Sequence, residues 1–473
     1  MTDTMRDILL VQLPPWGVNS PPLGLASIAA YIQKKGYSTD VYDLNVKLFS
    51  QAHDQSMWTF DRKDEWSDQT KLPDVIATLE LPLQSFLEHI KKQKYRVIGL
   101  SVTQNSILFA GYLSHEIKKI DPTTYLIAGG WGCWNQHERE QLMHVSSIDA
   151  FAIGEGEELL EEVICVLEQN KRVEKVPGII LREHATTALI SPRYLSKTLD
   201  EYPAPTYEGF PVLDYVSSVF SIISSRGCIG RCEFCNDRVY QGKYRVRHYS
   251  LILDEIKKHH TTYGMTTFSF NDLLINGNLQ NLRALCHGIT ELEFSIAWIA
   301  QCMIRKDMDA NDYAIMHSAG CKALQLGIES GSDHVLKKMK KFFTVSDAEN
   351  ALKLIHTAGI ETWVNIIVGF PGETEDEFQE TLDFLKHNHP YITKIGTLNT
   401  CNVVHSSLLM HEHVSHGILL PDSKDLIEVS WVGSDGNCDR IRKDRLQRVI
   451  ALLSELSLPT GQDNSFIKAK EFE

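Results

Sequence analysis

The feature that most constrains the fold is a repeated alternation of short apolar segments with amphipathic segments along most of the 473 residues. The run at 97–102 is apolar enough for a strand buried on both faces, whereas residues 25–32 repeat apolar positions with the spacing of a helix that has one buried stripe. Strands that alternate with helices form parallel sheets with helical crossovers. The sequence therefore predicts an α/β protein.

The alternation falls into two series. Residues 1–175 contain five predicted strands and predict a doubly wound, Rossmann-like parallel sheet. Residues 216–400 contain six strand–helix repeats, which predict a partial (β/α)6 barrel of the TIM type. Residues 176–215 are interpreted as a hairpin and linker, and residues 401–473 as a small C-terminal extension with a helical lobe.

Two connecting segments stand out. Residues 45–95 are too long for a simple crossover, and a connection of this length is expected to be functional or to act as a cap. Residues 177–182 are expected to pair with residues 188–191 as a hairpin, and the prolines within 196–215 indicate the linker.

Composition narrows the class of partner. The formal net charge of −14 argues against a nucleic acid or an anionic membrane recognised by bulk charge. The sequence shows no apolar run of about 18 residues and no signal-peptide core. We therefore expect a cytoplasmic enzyme without a membrane span, whose ten cysteines are thiols or metal ligands.

The strongest local motif is a loop with three cysteines, Cys228, Cys232 and Cys235, at the spacing C-x3-C-x2-C. A loop this short can hold three corners of one metal cluster. Gly227 and Gly230 allow the backbone to turn tightly and to direct amides at the sulfurs. The motif therefore predicts a metal centre.

Zinc and iron–sulfur are the alternatives for this centre. Structural zinc sites usually have four protein ligands, and the nearby Asp237 and His248 do not complete a usual zinc-finger spacing. Three thiolates on a [4Fe–4S] cluster leave one iron without a protein ligand, and such an iron is a catalytic coordination site. The spacing favours the iron–sulfur cluster.

The cysteine motif, with Phe234 before the third cysteine, resembles that of the radical S-adenosylmethionine enzymes, over about residues 215–400. In that family the open iron binds the amino and carboxylate groups of S-adenosylmethionine, and an electron from the cluster releases a 5′-deoxyadenosyl radical. The resemblance implies an oxygen-sensitive enzyme with an external electron donor such as flavodoxin or ferredoxin. It also implies S-adenosylmethionine contacts at carboxyl strand ends, at Phe234, Asn271, Asp272, Gln301, Gly327, Glu329, Ser330, Gly369 and Pro371.

The N-terminal series, about residues 6–170, resembles the cobalamin-binding domain that precedes the barrel in many radical enzymes. The resemblance implies cobalamin lying flat on strand ends, where glycine-rich turns allow close approach. The residues that would contact it are Pro15, Leu23, Gly24, Ser101, Thr103, Gln104, Asn105, Gly129, Gly130, Trp131, Gly154, Glu155, Gly156 and Glu157. The D-x-H-x-x-G motif of cobalamin mutases is missing at Asp43, so we expect no protein histidine below cobalt. The alternative is a sheet without cobalamin that binds substrate or docks a partner.

Several weaker motifs are explained by structural roles more simply than by functional ones. Cys401 could reach the active site, although a buried inert thiol is the default. His405, His411, His413 and His416 fit a solvated loop better than a metal site. Residues 243–248 fit a salt-bridging loop, although Arg247 could meet an anionic group, and residues 337–341 fit a solvated helix end.

Together these features predict a cobalamin-dependent radical S-adenosylmethionine methyltransferase that acts on an unactivated carbon. One S-adenosylmethionine would methylate cobalt and a second would supply the radical, with both domains facing one cavity. A cyclisation, oxidation or rearrangement with the same cofactors is the first alternative, and a non-catalytic metal-binding or docking protein is the second. The sequence leaves the small-molecule substrate open among lipids, tetrapyrroles, peptides and antibiotic intermediates.

Overall fold

The computed structural model describes residues 5–185, 195–196, 198–404, 407–421 and 428–461. The chain forms two compact units, of which the first ends at Ser221 and the second begins at Ile222. Within the described residues, no helix has the length and apolar composition needed to cross a lipid bilayer.

The first unit contains a six-stranded sheet in the order β2-β1-β3-β4-β5-β6. Strands β1 to β5 are parallel, as predicted, and β6 runs antiparallel to β5. The strands are β1 (Arg6–Gln12), β2 (Thr39–Asp43), β3 (Tyr95–Ser101), β4 (Tyr125–Gly129), β5 (Ala150–Ala152) and β6 (Ile179–Leu181). The helices are α1 (Leu23–Lys34), α2 (Leu44–Gln51), α3 (Leu72–Thr78), α4 (Glu80–Lys92), α5 (Ile107–Ile120), α6 (Gln136–Val145) and α7 (Gly156–Glu168).

The order of the first four strands places the reversal of winding between β1 and β3. Ligands of open parallel sheets bind at such a reversal, beyond the carboxyl ends of the strands. Gln12, Ser101 and Gly129 are register partners at the ends of β1, β3 and β4. The loops that follow these strands therefore begin at one edge of the sheet.

Two connections of the first unit show features that the sequence did not predict. Strand β6 pairs with the edge of β5, and the predicted hairpin partner of this segment, residues 188–191, lies outside the described residues. This pairing satisfies backbone groups that the β5 edge would otherwise leave unpaired. In the 45–95 connection, Trp58 and Trp66 are fully buried in the core, with ring centroids 5.2 Å apart. Part of the connection that was expected to act as a cap therefore belongs to the hydrophobic core of the first unit.

The second unit contains a six-stranded parallel sheet in the order β14-β13-β12-β11-β10-β7, as a partial barrel requires. Its strands are β7 (Phe220–Ile222), β10 (Thr267–Phe270), β11 (Ala297–Cys302), β12 (Cys321–Glu329), β13 (Glu361–Val368) and β14 (Lys394–Thr400). The hairpin of β8 (Ser225–Arg226) and β9 (Arg245–Val246) encloses the cysteine loop. The helices are α8 (Asp237–Gln241), α9 (Tyr249–Tyr263), α10 (Leu279–Thr290), α11 (Ala310–Ser318), α12 (Asp333–Lys338), α13 (Val345–Thr357) and α14 (Glu375–Asn388).

The C-terminal extension packs within the second unit. Val403, Leu409 and Trp431 share a hydrophobic core with Met339 and Phe370, and Phe234 packs against this core. The extension contains β15 (Val403–Val404), α15 (Leu408–His411), β16 (Ile418–Leu419), β17 (Glu428–Val429), β18 (Val432–Gly433) and α16 (Asp439–Glu455). The predicted boundary at residue 400 therefore crosses a common core, because apolar residues on both sides of it bury one another.

Candidate metal centre and cofactor site

The three-cysteine loop follows β8 and ends at α8. Gly227 has φ +80°, and a Cβ atom there would lie 2.6 Å from the Lys243 carbonyl oxygen, so the loop requires glycine at its start. The Gly230 N–H donates to Cys228 Sγ at 3.2 Å. The structure therefore confirms that the Gly230 amide points at a cysteine sulfur.

The cysteines themselves are half-buried and unpaired by disulfides. A Cβ atom at Gly230 would lie 3.3 Å from Cys228 Sγ and 3.9 Å from Cys232 Sγ, so glycine preserves the space between these two sulfurs. Burial raises the pKa of the Cys228 and Cys232 thiols, and the Gly230 amide opposes this shift at Cys228. Bound iron would keep these sulfurs as thiolates, because a coordinating thiol is deprotonated.

A structural zinc ion would need a fourth protein ligand beside the three cysteines. His248 is engaged as the N-cap of α9, where its side chain accepts from the Ser250 N–H. Asp237 Oδ2 lies 3.9 Å from Cys235 Sγ, at the limit of a thiol hydrogen bond. The residues present fit a larger cluster held by three thiolates.

Lys341 is a candidate site residue that the sequence analysis did not single out. Its Nζ donates to the Gly327 carbonyl oxygen at 2.9 Å and to Glu329 Oε1 at 3.1 Å, and it lies 5.3 Å from the centre of the Phe234 ring. Burial would lower the pKa of Lys341, but the charges of Glu329 and Cys232 outweigh burial and raise it. The predicted solvated helix end at 337–341 is therefore wrong for Lys341, because Glu329 compensates its burial.

The turn after α12 separates two consecutive lysines. Lys340 has φ +59°, a left-handed conformation that is strained for lysine. Lys340 forms an ion pair with Glu233, whereas Lys341 pairs with Glu329. Glu329 itself has φ +74°. Two strained residues thus carry or contact the charges beside the cysteine loop, which is typical of functional sites.

Glu233, between the second and third cysteines, anchors the loop. Its N–H donates to the Met339 carbonyl oxygen at 3.2 Å, and its carbonyl oxygen accepts from the Leu409 N–H at 2.8 Å. Its buried carboxylate also lies 3.6 Å from His416 Nε2. The loop is therefore held from the α12 turn and from the C-terminal extension.

Around Glu233 the surface is cationic. Lys337, Lys338 and Lys340 line a pocket there with Glu412 and His416. Glu233, Glu412 and His416 place ligand atoms within 4.8 Å of one another, as a metal site would. The three ammonium groups oppose a metal cation at this position, because like charges repel at short range. We call Arg231, Lys337, Lys338 and Lys340 the cationic surface.

Asp272, a predicted S-adenosylmethionine contact, lies beneath the loop. It accepts from the Ser224 N–H at 3.1 Å, the Ser224 hydroxyl at 2.9 Å and the Ser225 hydroxyl at 2.5 Å. Burial raises the pKa of Asp272 to about 6, against these hydrogen bonds. The structure places Asp272 as a support of the strand that leads into the cysteine loop.

The other predicted contacts fall into two groups. Asn271 and Gln301 are exposed at the ends of β10 and β11, and Gly327 and Glu329 lie beside Lys341. Ser330 is fully buried, and its hydroxyl lies 3.2 Å from the Thr381 hydroxyl. Its side chain is therefore not accessible beside Lys341 with those of the first group.

The Gly369 turn is covered by the C-terminal extension. The Gly369 N–H donates to Glu373 Oε2 at 2.6 Å, and its carbonyl oxygen accepts from Asn437 Nδ2 at 3.1 Å. A Cβ atom at Gly369 would lie 2.4 Å from Arg442 Cγ. Both backbone groups of Gly369, an expected S-adenosylmethionine contact, are therefore already bonded within the protein, and Pro371, two residues later, is buried.

The predicted cobalamin contacts of the first unit cluster at the carboxyl edge of its sheet. Gly130 has φ +97°, and a Cβ atom there would lie 2.8 Å from the Val102 carbonyl oxygen, so glycine is required where the loops after β3 and β4 meet. Gly156 similarly approaches Ile28, with a Cβ distance of 2.7 Å. Exposed members of the set are Gly24, Gln104, Gly130, Trp131 and Gly154.

The remaining members of that set differ in accessibility. Pro15, Leu23 and Glu157 are buried. Thr103 forms a capping box with Ser106. The half-buried members are Ser101, Thr103, Asn105, Gly129, Glu155 and Gly156. The accessible residues of this edge form a surface rich in glycine, with Trp131 exposed over 46% of its area.

Asn45, which the sequence did not single out, fixes the loop after β1. Its Oδ1 accepts from the Trp16 N–H at 3.0 Å and from Trp58 Nε1 at 2.7 Å, and the residue is fully buried. The hydroxyl of Ser67, further along the same connection, lies 3.4 Å from Asn105 Oδ1. The 45–95 connection therefore reaches the loops after β1 and β3.

The weaker sequence motifs have structural roles. Cys401 is buried in the core around Trp431, and burial raises its pKa to about 12, so the thiol does not reach the site. Arg247 forms a buried ion pair with Glu255 at 2.5 Å, which confirms the salt-bridge interpretation. His405 lies outside the described residues, and His416 adjoins Glu233.

Comparison with known proteins agrees with this geometry. Residues 222–385 match the family model of the radical SAM superfamily. The chain is 25% identical to an uncharacterised methyltransferase of Pyrococcus horikoshii, over 80% of this chain and 77% of that protein. It is 23% identical to the cytidylyl-2-hydroxyethylphosphonate methyltransferase of Streptomyces wedmorensis, over 77% of this chain and 72% of that protein.

A third relative has a different named activity. The anaerobic magnesium-protoporphyrin IX monomethyl ester cyclase of a Synechocystis species is 25% identical, over 54% of this chain and 52% of the relative. Methyltransferases and a cyclase thus both occur among proteins similar to this chain.

Solved structures extend the similarity to both units. The radical S-adenosylmethionine methyltransferase TsrM of Kitasatospora setae, with cobalamin and a [4Fe–4S] cluster bound, has a TM-score of 0.68 and 17% identity, over 89% of this chain and 81% of TsrM. The cobalamin-dependent radical enzyme OxsB has a TM-score of 0.72 and 16% identity, over 95% of this chain and 67% of OxsB. The predicted fold class is therefore confirmed.

Proposed function

We propose, from the membership of this chain in the radical SAM superfamily, that it is a cobalamin-dependent radical S-adenosylmethionine methyltransferase acting on an unactivated carbon. The observation that carries the proposal is the three-cysteine loop, with Gly230 between two sulfurs and the Lys341–Glu329 ion pair against Phe234. When bound, the cluster and S-adenosylmethionine supply hydrogen abstraction, and cobalamin supplies the methyl group.

In the second unit, the residues have distinct tasks under this proposal. Cys228, Cys232 and Cys235 would hold three irons. Lys341 and Glu329 would meet the charged methionine end of S-adenosylmethionine, because an ion pair offers partners to both a carboxylate and an ammonium group. Burial of this pair keeps water away from both charges.

In the first unit, the exposed edge of the sheet supports cobalamin binding. Gly130 and Gly154 are exposed and carry no side chain, and Trp131 adds an exposed aromatic ring. Such a surface suits a large flat ligand, because backbone can approach it closely.

The decisive experiment is anaerobic purification followed by metal analysis and turnover. We expect about four irons and one cobalamin per chain, and 5′-deoxyadenosine on reduction with S-adenosylmethionine. Cys232→Ala should lose the iron and keep the cobalamin, whereas the matched control Cys165→Ala should keep both. Zinc in place of iron, or no 5′-deoxyadenosine, would leave only the metal-binding or docking alternative.

Methyl transfer has its own test against the cyclase-like alternative, which the similarity to the anaerobic cyclase favours. Turnover of candidate substrates with methyl-labelled S-adenosylmethionine should place the label in the product. A product that forms without label would identify a cyclisation, oxidation or rearrangement.

An external one-electron donor belongs to the proposal. The cationic surface supports it, because it adjoins the residue between two cluster cysteines in a chain whose formal net charge is −14. An acidic donor such as flavodoxin or ferredoxin would be repelled by most of the chain and attracted there.

A further inference from the structure

One face of the second sheet is open and unusually rich in carboxamides. On β12, Leu324, Leu326 and Ile328 are fully buried, whereas Gln325 between them is partly accessible. The same alternation continues on the neighbouring strands, and the accessible positions there include three further amide side chains. We call this surface the amide face: Gln301 of β11, Gln325 of β12, Asn365 of β13 and Asn399 of β14.

The four amides lie on four neighbouring strands in parallel register, and Asn399 is the register partner of Ile367, two residues after Asn365. Gln301 is the register partner of Gln325, and Gln325 is the register partner of Trp363. Asn365 lies two residues after Trp363 on β13. Gln325 Nε2 donates to Asn365 Oδ1 at 2.9 Å. At Gly396 on β14, a Cβ atom would lie 3.0 Å from Asn365 Oδ1 and 3.2 Å from Gln325 Nε2, so glycine leaves room for this amide pair.

The amide pair keeps hydrogen-bonding capacity for a ligand. Each carboxamide has two N–H donors and an oxygen acceptor, and the bond between Gln325 and Asn365 uses one donor and one lone pair. Gln301 and Asn399 are exposed, and within the described part of the chain neither side chain has a hydrogen-bond partner. The face therefore offers donors and acceptors together.

This face carries few charges, and those near the amides are engaged. Glu329 is paired with Lys341, and at the start of β14 Lys394 Nζ lies 3.6 Å from the centre of the Trp363 ring. The other accessible positions beyond the strand starts of β10 to β14 carry serine, isoleucine, glycine, tryptophan, threonine and amide side chains. Carboxylate- or phosphate-rich ligands are recognised by clusters of cations, whereas the two lysines here already contact Glu329 and Trp363. An aliphatic chain would leave the amides without partners, which is unfavourable once water is excluded.

We propose that the amide face binds a neutral, polar part of the substrate that carries both donors and acceptors, such as sugar hydroxyls, a nucleobase edge or a peptide amide. This rests on the proposed function and narrows its substrate class, because it excludes lipids and carboxylate-rich tetrapyrroles. Gln325 precedes Glu329 by four residues, about 13 Å along a strand, which separates the amide face from the charges beside the cysteine loop.

The test uses the cofactor-loaded full chain with the double substitution Gln325→Leu/Asn365→Leu. Binding is measured by equilibrium dialysis for uridine, methyl glucoside and N-acetylalanine amide, and for dodecanoate and protoporphyrin. We expect at least one neutral probe to bind and to lose affinity about tenfold or more in the double variant, because two hydrogen-bonding groups are lost. Asn399→Leu, at an exposed position, should weaken the same probe if the double variant fails to fold.

Matched measurements separate the proposal from its competitors. Gln379→Leu removes an exposed amide from α14, outside the amide face, and should leave probe binding unchanged. Affinity for S-adenosylmethionine should stay within about twofold in the double variant, and a parallel tenfold loss would assign the amides to the cofactor and overturn the proposal. Binding of only dodecanoate or protoporphyrin, or of no neutral probe, would also overturn it. Failure of the proposed function is recognised separately, by missing iron or 5′-deoxyadenosine in the wild type.

Discussion

Substitution of Lys341 tests whether its ammonium group compensates the buried charge of Glu329 beside the cysteine loop. Their side chains are 10% and 9% exposed, and Lys341 Nζ contacts Glu329 Oε1 at 3.1 Å and the Gly327 carbonyl oxygen at 2.9 Å. Lys341→Met keeps much of the length and apolar volume of the side chain but removes the ammonium group. Glu329 is then left buried without its cation.

The expected magnitude follows from that burial. Removal of one partner of a buried ion pair costs about 3–5 kcal/mol, because the remaining charge loses both water and its partner. We therefore expect the free energy of unfolding of the apoprotein in urea to fall by at least about 3 kcal/mol in Lys341→Met. The double variant Lys341→Met/Glu329→Gln should recover most of this loss, since no uncompensated charge remains.

A matched control fixes the scale of the experiment. Lys257 is exposed on α9, and Lys257→Met should change the free energy of unfolding by less than about 0.5 kcal/mol. A loss in Lys341→Met no larger than that of the control would refute the reasoning. So would a double variant as unstable as Lys341→Met, because the loss would then not arise from the unpaired carboxylate.

Other side chains of the second unit give smaller or more selective effects. Thr374→Ala removes the capping box of α14 with Glu377 and should lower the free energy of urea unfolding by about 1 kcal/mol, whereas no loss would contradict the capping role. The pKa of Asp272, raised by burial to about 6, contributes a loss of stability as the pH rises from about 4 to 6, and Asp272→Asn should remove this contribution from the pH dependence of unfolding. Lys337→Glu should slow cluster reduction by flavodoxin hydroquinone, but not by dithionite, and Lys257→Glu should slow neither.

Much of the second sheet was predictable because its strands and helices follow simple periodicity. Apolar periodicity in the sequence predicts a strand at 361–368 and a helix at 346–358, and these are the observed β13 and α13 within one residue at each end. The sequence Thr374-Glu-Asp-Glu predicts the start of a helix, and Thr374 and Glu377 form the capping box of α14. Local patterns of this kind are set by burial of one face and by backbone capping, both of which are visible in a single sequence.

The charges beside the cysteine loop were not predictable in the same way. Lys340 and Lys341 look alike in a basic run, and only the left-handed backbone at Lys340 directs them to different acids. The partner of Lys341 lies twelve residues away, on the end of β12. Lys341 is buried because it pairs with Glu329 in the folded chain. The hydropathy of residues 337–341 does not indicate this burial.

The predicted cofactor contacts at strand ends illustrate a second limit. Carboxyl strand ends do gather Asn271, Gln301 and Glu329 in one sheet, as the parallel topology requires. Periodicity could not show that the Gly369 turn is covered by Asn437 and Arg442. Coverage by a distant segment depends on packing that only the folded chain reveals.

The bond between the Leu409 N–H and the Glu233 carbonyl oxygen has a consequence for biosynthesis. The cysteine loop is translated about 170 residues before the segment that anchors it. On the ribosome, the three thiols therefore emerge long before Leu409 and Trp431 can form their seat. We expect the iron–sulfur cluster to be inserted stably only after the segment that contains Leu409 and Trp431 has been translated.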